Sequence, residues 1–282
     1  RHFLNAGKRL LGLSYQSIKG GLIGVEYDKR TVMVVMSHVG TEPDVLMKHI
    51  KTDEVQRLTK QLKDKHKNKT IMCGIDVCQK LSGVTLKLLA YERFLAEYDS
   101  WRDEVVMVQI CLRPKSRVDD EQHTSSEIAQ VINRIKGAYG EGVLDYEELY
   151  GATTVALCQR LALYKASEVM IMTAVREGLN LIPLEYIFTR NEPDRAGVVL
   201  ASEFSACSSL LNGAVRINPF DVAKTAAALD QALSMEDAER TGRRARDLPY
   251  ISSRPSAEWT YQVMMDMWAM SSETSFTHVE DT

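Results

Sequence analysis

From Thr70 onward the chain repeats one pattern: a short apolar run, then a longer amphipathic one. "TIMCGID" reads as a strand and "GVTLKLLAYERFLAEY" as a helix with a buried face. "EVVMVQICL" is the next strand-like run, and a long helix is expected from about Asp119 to Tyr139. "VLDYEEL", helix "TTVALCQRLALYKA", strand "EVMIMTA", "AGVVLAS", the short "ACSSLL" and "GAVRINP" continue the alternation. Helices near Asp221–Ser234 and Ser256–Met270 close it. Strands that are apolar throughout must be covered on both faces, and helices between them supply the cover, so the pattern implies a parallel α/β sheet. Such sheets take ligands at the carboxyl ends of their strands, where loops enter helices. Before this region, "LIGVEYDKRTVMVVMSHV" predicts two strands about the turn Asp28-Lys29-Arg30.

Composition narrows the function classes. The 282 residues are 45% hydrophobic and 26% charged, with a formal net charge of −3. That is a globular composition without general attraction for nucleic acid or acidic membranes. No apolar run approaches the roughly 20 residues that span a bilayer. The lysines of "DEVQRLTKQLKDKHKNK" are interrupted by acids and lack aromatic neighbours, so they read as a solvated helix face. Cys73, Cys78, Cys111, Cys158 and Cys207 have no metal-ligand spacing and read as free thiols, which points to a reducing, cytoplasmic setting. The histidines form no His-x-x-x-His pair, and no metal is expected. "RHFLNAGKRLLGLSY" has neither an initiator Met nor a long apolar segment and reads as a start inside a longer protein. "GGLIG" at Gly20–Gly24 enters a hairpin pattern rather than a helix, and neither a P-loop nor a Gly-x-Ser-x-Gly elbow occurs.

One stretch carries chemistry. "VMIMTAVREGLNLIPLEYIFTR", Val169–Arg190, is expected to form a buried strand, a sharp glycine turn and then a helix that opens with Glu177-Gly178-Leu179-Asn180 and carries Glu185 on its second turn. Free amides at such a start favour anions. An acid among Ile182, Leu184, Tyr186 and Ile187 is the less ordinary occupant of that face.

"TAVREGLNLIPLEYI" resembles the donor-binding motif of the trehalose-6-phosphate synthases, glycosyltransferase family GT20. The resemblance continues in family order through "KRLLGLSY", "GLIGVEYDKRTV", "GIDVCQKLSGVTLKLLAYERFL", "WRDEVVMVQI", "VVLASEFSACSSLLNGAVRINPF" and "AEWTYQVMMDMW". "NLIPLEYI" and "LNGAVRINP" look most similar to the plant-type regulatory branch, which often carries a phosphatase-like domain downstream. The resemblance implies the second, Rossmann-like half of a GT-B fold, with UDP-glucose as donor, glucose 6-phosphate as acceptor and no cofactor or metal. It implies a connecting segment and hairpin over 1–40, a nucleotide-sugar-binding domain over 41–254, a helix over 255–270 crossing back to the amino-terminal half, and a polar tail over 271–282.

Residue by residue, Glu185 matches the glutamate that accepts both ribose hydroxyls. Gly178, Leu179, Asn180 and Leu181 match the turn facing glucosyl and phosphate groups. Glu177 stands where the family has Asp, the contact to a glucose hydroxyl; one methylene moves the carboxylate by about a bond length, and ~1 Å of misplacement can cost about a hundredfold. Arg117 matches an arginine that contacts the acceptor phosphate, with Arg113 and Lys115 as alternatives. The largest departure is "GIDVCQKLSG", where the diphosphate-binding Arg and Lys are replaced by Val77 and Ser82, with Lys80 two positions off. Two charged hydrogen bonds at roughly 1.5–3 kcal/mol each amount to about a hundredfold to ten-thousandfold. The expected function is therefore a trehalose-6-phosphate-synthase-type glycosyltransferase domain. The rival is a catalytically degenerate module that senses sugar nucleotides or sugar phosphates.

Overall fold

Ile71, Cys73 and Ile75 of one strand pack into one core layer while Met72, between them, packs into another. The next strand repeats the division, with Val106, Val108, Ile110 and Leu112 on one side and Val105, Met107 and Cys111 on the other. Side chains alternate across a strand, so two apolar faces require two covering layers. The computed structural model supplies both, and it describes residues 2–17, 23–35, 37–113, 118–191 and 193–274.

The chain divides into two compact units, Arg1–Val39 and Gly40–Thr282. The first holds α1 (His2–Leu11) and a three-stranded antiparallel sheet of β1 (Tyr15–Ser17), β2 (Ile23–Tyr27) and β3 (Arg30–Val34). Asp28 and Lys29, with φ of 50° and 59°, form the expected hairpin turn. "GGLIG" lies largely outside the described residues.

The second unit begins with α2 (Pro43–Ile50) and α3 (Asp53–Lys65). It then alternates β4 (Thr70–Val77), α4 (Val84–Glu97), β5 (Val105–Arg113), α5 (Val118–Tyr139), β6 (Leu144–Tyr150), α6 (Leu157–Ala166), β7 (Val169–Met172), α7 (Ile182–Thr189), β8 (Val198–Ser202), α8 (Cys207–Leu210), β9 (Val215–Ile217) and α9 (Val222–Leu233). The six strands are parallel in the order β6-β5-β4-β7-β8-β9. Chain order reverses between β4 and β7, which makes that junction the topological switch point. Helices α4, α5 and α9 cover one face, and α2, α3, α6 and α7 the other.

Two helices end the unit. α10 (Asp237–Ser253) is a charged helix that periodicity did not mark, interrupted by Gly242 and Pro249. Its Arg240 is buried and donates to the carbonyls of Ala232, Leu233 and Met235, closing the carboxyl end of α9. α11 (Ser256–Thr274) runs four residues past Met270, into the stretch expected to be tail; residues 275–282 lie outside the described residues. All five cysteines are free and four are buried.

Candidate functional site

At the switch point β4 and β7 pair only through Met72–Val169 and Cys73–Met170, after which they part. The loops beyond them are stitched together. Val175 N donates to Leu81 O at 2.9 Å, and Thr173 Oγ1 donates to Gly83 O at 2.9 Å. Gly83 has a φ of 68°, and a Cβ there would lie 2.0 Å from the Thr173 carbonyl oxygen, so both conformation and contact demand glycine. The cleft between these loops has a volume of about 340 Å³.

Its lining joins four separate segments, one of them β5 through Leu112. Asp76, Val77, Gln79 and Ser82 come from β4 and the turn after it; Thr153, Thr154 and Val155 precede α6, which adds Arg160. Glu177, Asn180, Leu181 and Glu185 come from the β7–α7 segment. Six of the residues singled out in the sequence therefore share one cleft: Val77, Ser82, Glu177, Asn180, Leu181 and Glu185. Gly178 and Leu179 are not among its lining residues. Leu179 packs against the core, and the Gly178 carbonyl accepts from Ala206 N at 3.3 Å. Arg117 and Lys115 lie outside the described residues. Arg113 is committed elsewhere: it donates to Glu121 and, at 2.7 Å, to Glu148, with its guanidinium 4.6 Å from the Tyr150 ring centre. Burial raises Glu148, but hydrogen bonds from Arg113 and Tyr146 outweigh it and lower the pKa. Lys80 is 68% exposed and pairs with Glu127 at 3.7 Å instead of lining the cleft.

The expected helix opening at Glu177 is corrected. α7 begins at Ile182, with Pro183 in its first turn, so Glu185 lies on the first turn and not the second. Residues 177–178 are held in an extended pairing instead: Glu177 bridges Ser205, and Glu177 N donates to Phe204 O at 3.3 Å. Amides committed or oriented in this way do not form a helix start at Glu177. The Asn180 side chain orders the rest, donating to Glu177 Oε1 at 3.0 Å and accepting from Ile182 N at 3.0 Å. That turn delivers the chain into α7.

Two carboxylates in the cleft have opposite surroundings. Glu177 receives only neutral donors, Asn180 and Ser205 (3.2 Å), and burial first, then the charge of Asp76, hold its pKa above the ordinary value. Glu185 meets Arg160 in a two-pronged pair, Nε to Oε2 at 2.7 Å and Nη2 to Oε1 at 2.9 Å. Arg160 is fixed on its other side, where Nη1 donates to Val155 O at 3.0 Å.

Beneath the floor lies a closed polar triangle. Lys87 from α4 pairs with Asp76 and donates to Gln109 Oε1 at 3.0 Å, while Gln109 Nε2 donates to Asp76 Oδ2 at 2.9 Å. Gly74 makes room, since a Cβ there would lie 2.3 Å from Gln109 Oε1. Sequence reasoning missed this triangle and Arg160. A lysine inside "TLKLLAYERFL" and a glutamine inside "VVMVQICL" were its visible signals, because buried polar residues in apolar runs are the informative exceptions.

Comparison with known proteins agrees with this geometry. The chain is 36% identical over 277 residues to the probable alpha,alpha-trehalose-phosphate synthase [UDP-forming] 7 of Arabidopsis thaliana, covering 95% of this chain and 32% of that one. Its fold superposes on the alpha,alpha-trehalose 6-phosphate synthase of Burkholderia multivorans with a TM-score of 0.87 at 24% identity, covering 99% of this chain and 58% of the other. An E. coli structure described as trehalose-6-phosphate bound with UDP-2-fluoro glucose gives 0.81 at 25% identity, covering 91% and 56%. The chain thus spans about a third of the plant relative and under three-fifths of the solved ones. Residues 1–269 match the family description Glycosyltransferase family 20. By that match, and by a switch-point cleft built on the expected motif, the chain belongs to glycosyltransferase family 20.

Proposed function

We propose that this chain is the donor-binding half of a trehalose-phosphate-synthase-type glycosyltransferase, which moves glucose from UDP-glucose to glucose 6-phosphate. The observation that carries the reading is the convergence of Glu177, Asn180, Leu181 and Glu185 on one cleft at the switch point. In this reading Glu185 accepts the ribose hydroxyls, Glu177 addresses the glucosyl group, and the Gly178–Leu181 segment borders glucose and phosphate. Arg117 would contact the acceptor phosphate. α11, with exposed Tyr261, Met264 and Met267, would cross back to an amino-terminal half that supplies the remaining acceptor contacts. A cytoplasmic setting and a phosphatase-like domain downstream belong to the same proposal.

A second reading is favoured by one feature. Val77 and Ser82 line the cleft where the family places cations, and the lining residues described carry three carboxylates against one guanidinium. Losing those cations removes the support that a diphosphate leaving group needs for turnover, and so favours a module that senses sugar nucleotides or sugar phosphates without turning them over.

Titration calorimetry with UDP tests the donor-site assignment. Glu185→Gln is expected to weaken UDP binding about tenfold through lost charged hydrogen bonds, about 1.4 kcal/mol. Glu177→Gln should change it little, because UDP lacks the glucose. Equal effects, or none from Glu185→Gln, would remove the assignment.

A further inference from the structure

Arg160 is a cation on the first turn of α6, where the helix dipole opposes positive charge. What holds it there is its pair with Glu185, 25 residues away on the first turn of α7, and the Val155 carbonyl. Both side chains are largely shielded, Arg160 being 20% and Glu185 12% exposed. The pair uses the side-on edge of the guanidinium, so each carboxylate oxygen receives one of two parallel N–H groups.

That geometry bears on which ligands Glu185 admits. Two adjacent hydroxyls reach both oxygens of one carboxylate only along the edge where its inner lone pairs run together. Arg160 fills that edge, and the outer lone pairs diverge. Resting on the donor-cleft reading above, we infer that Arg160 is a lock on Glu185: a vicinal diol enters only by displacing the guanidinium, and this residue sets the cleft's affinity for such ligands.

A third buried side chain lies near the pair. Tyr164, one helical turn beyond Arg160 on α6, is fully buried and its hydroxyl has no hydrogen-bond partner. Burial first, and then the charge of Glu185, push its pKa well above the tyrosine range, so the phenol stays protonated and close enough to feel the carboxylate. The lock is therefore a competition between one intramolecular donor edge and one ligand donor edge for the same carboxylate.

The test measures uridine and 2′,3′-dideoxyuridine binding to the 282-residue chain by calorimetry. The variants are Arg160→Leu and, to guard against misfolding, Arg160→Lys, which keeps the charge but lacks the planar fork. Uridine should bind Arg160→Leu tenfold or more tightly than wild type, and Arg160→Lys by a smaller gain in the same direction. Dideoxyuridine affinity should stay within about twofold across the set. If wild type binds uridine and both variants bind it equally or more weakly, the lock is overturned while the donor cleft stands. A gain shared by dideoxyuridine overturns it too, since the diol is then irrelevant. If neither wild type nor any folded variant binds uridine, the lock and the donor-cleft reading fall together.

Discussion

The two ends of the parallel sheet treat charge in opposite ways. At the amino-terminal end, Glu168 just before β7 is met by three arginines: Arg190 at 2.9 Å, Arg195 at 3.1 Å and Arg240 at 3.3 Å. Other donors of these arginines go to backbone carbonyls or to Asp237, while the buried Arg190 Nε has no hydrogen-bond partner among the described residues. At the carboxyl end the ratio is reversed: Asp76, Glu177 and Glu185 line a cleft whose described lining holds one cation, Arg160, while Lys87 pairs Asp76 from beneath. Buried charges are tolerated where geometry pairs them fully, and they cost stability where it does not. One end therefore staples α9 and α10 to the sheet. The other holds each carboxylate differently: Asp76 by Lys87 and Gln109, Glu185 by Arg160, and Glu177 by neutral donors alone.

The largest effect should come from breaking the stapled end. Arg240→Ala removes donors to α9 and leaves Glu168 with one cation fewer. Loss of one partner from a buried ionic network costs about 3–5 kcal/mol. Denaturant unfolding reads this as a lower midpoint. UDP affinity of the folded variant should match wild type, because Arg240 does not line the cleft. A loss under 1 kcal/mol would mean the staple is ornamental.

A change at the cleft end should be smaller and should appear in binding. Val77→Arg with Ser82→Lys restores cations where the resemblance places them and should tighten UDP by at least about 1.5 kcal/mol, roughly tenfold. Uridine, without phosphates, should gain little. Ser82 is only 8% exposed, so the lysine must extend into the cleft to be accommodated. Two cations added on the exposed face of α3 are the control, and their effect should fade faster with salt. Equal gains from both pairs would refute the placement of the diphosphate.

The smallest effect concerns Glu177. Its folded pKa is raised, by burial first and by Asp76 second, so the native state holds its proton to higher pH than the unfolded chain. Its contribution to stability is thus fully present below the unfolded value of about 4.3 and lost as pH rises through the folded value. Glu177→Gln should flatten that fall and make the protein slightly more stable at neutral pH. Unfolding curves of the two proteins between pH 4 and 8 check it, and parallel curves would show that Glu177 is not strained.

How much of this was legible follows physical range. Alternating apolar and amphipathic runs are local, and they determined the strands, most helices and the parallel sheet. The family motif determined that Glu177, Asn180, Leu181 and Glu185 belong together. It also marked Val77 and Ser82 as the positions lacking cations. α10 escaped because its face is built on buried Arg240, Arg244 and Asp247 in place of an apolar stripe. The helix start was misread for a related reason: Glu177 pairs with Ser205, on the loop after β8, and no local propensity reports a partner 28 residues away.

The sequence by itself determined the parallel sheet and most of its covering helices, since periodicity acts over a few residues, and the family motif marked six of the residues that line the switch-point cleft. Only the tertiary structure decided what each charged side chain meets. Arg160 with Glu185, and Lys87 with Asp76 and Gln109, come from different elements that the crossover connections bring side by side. Whether a buried charge costs or stabilises depends on a partner within about 3 Å in space, and distance along the chain does not encode that.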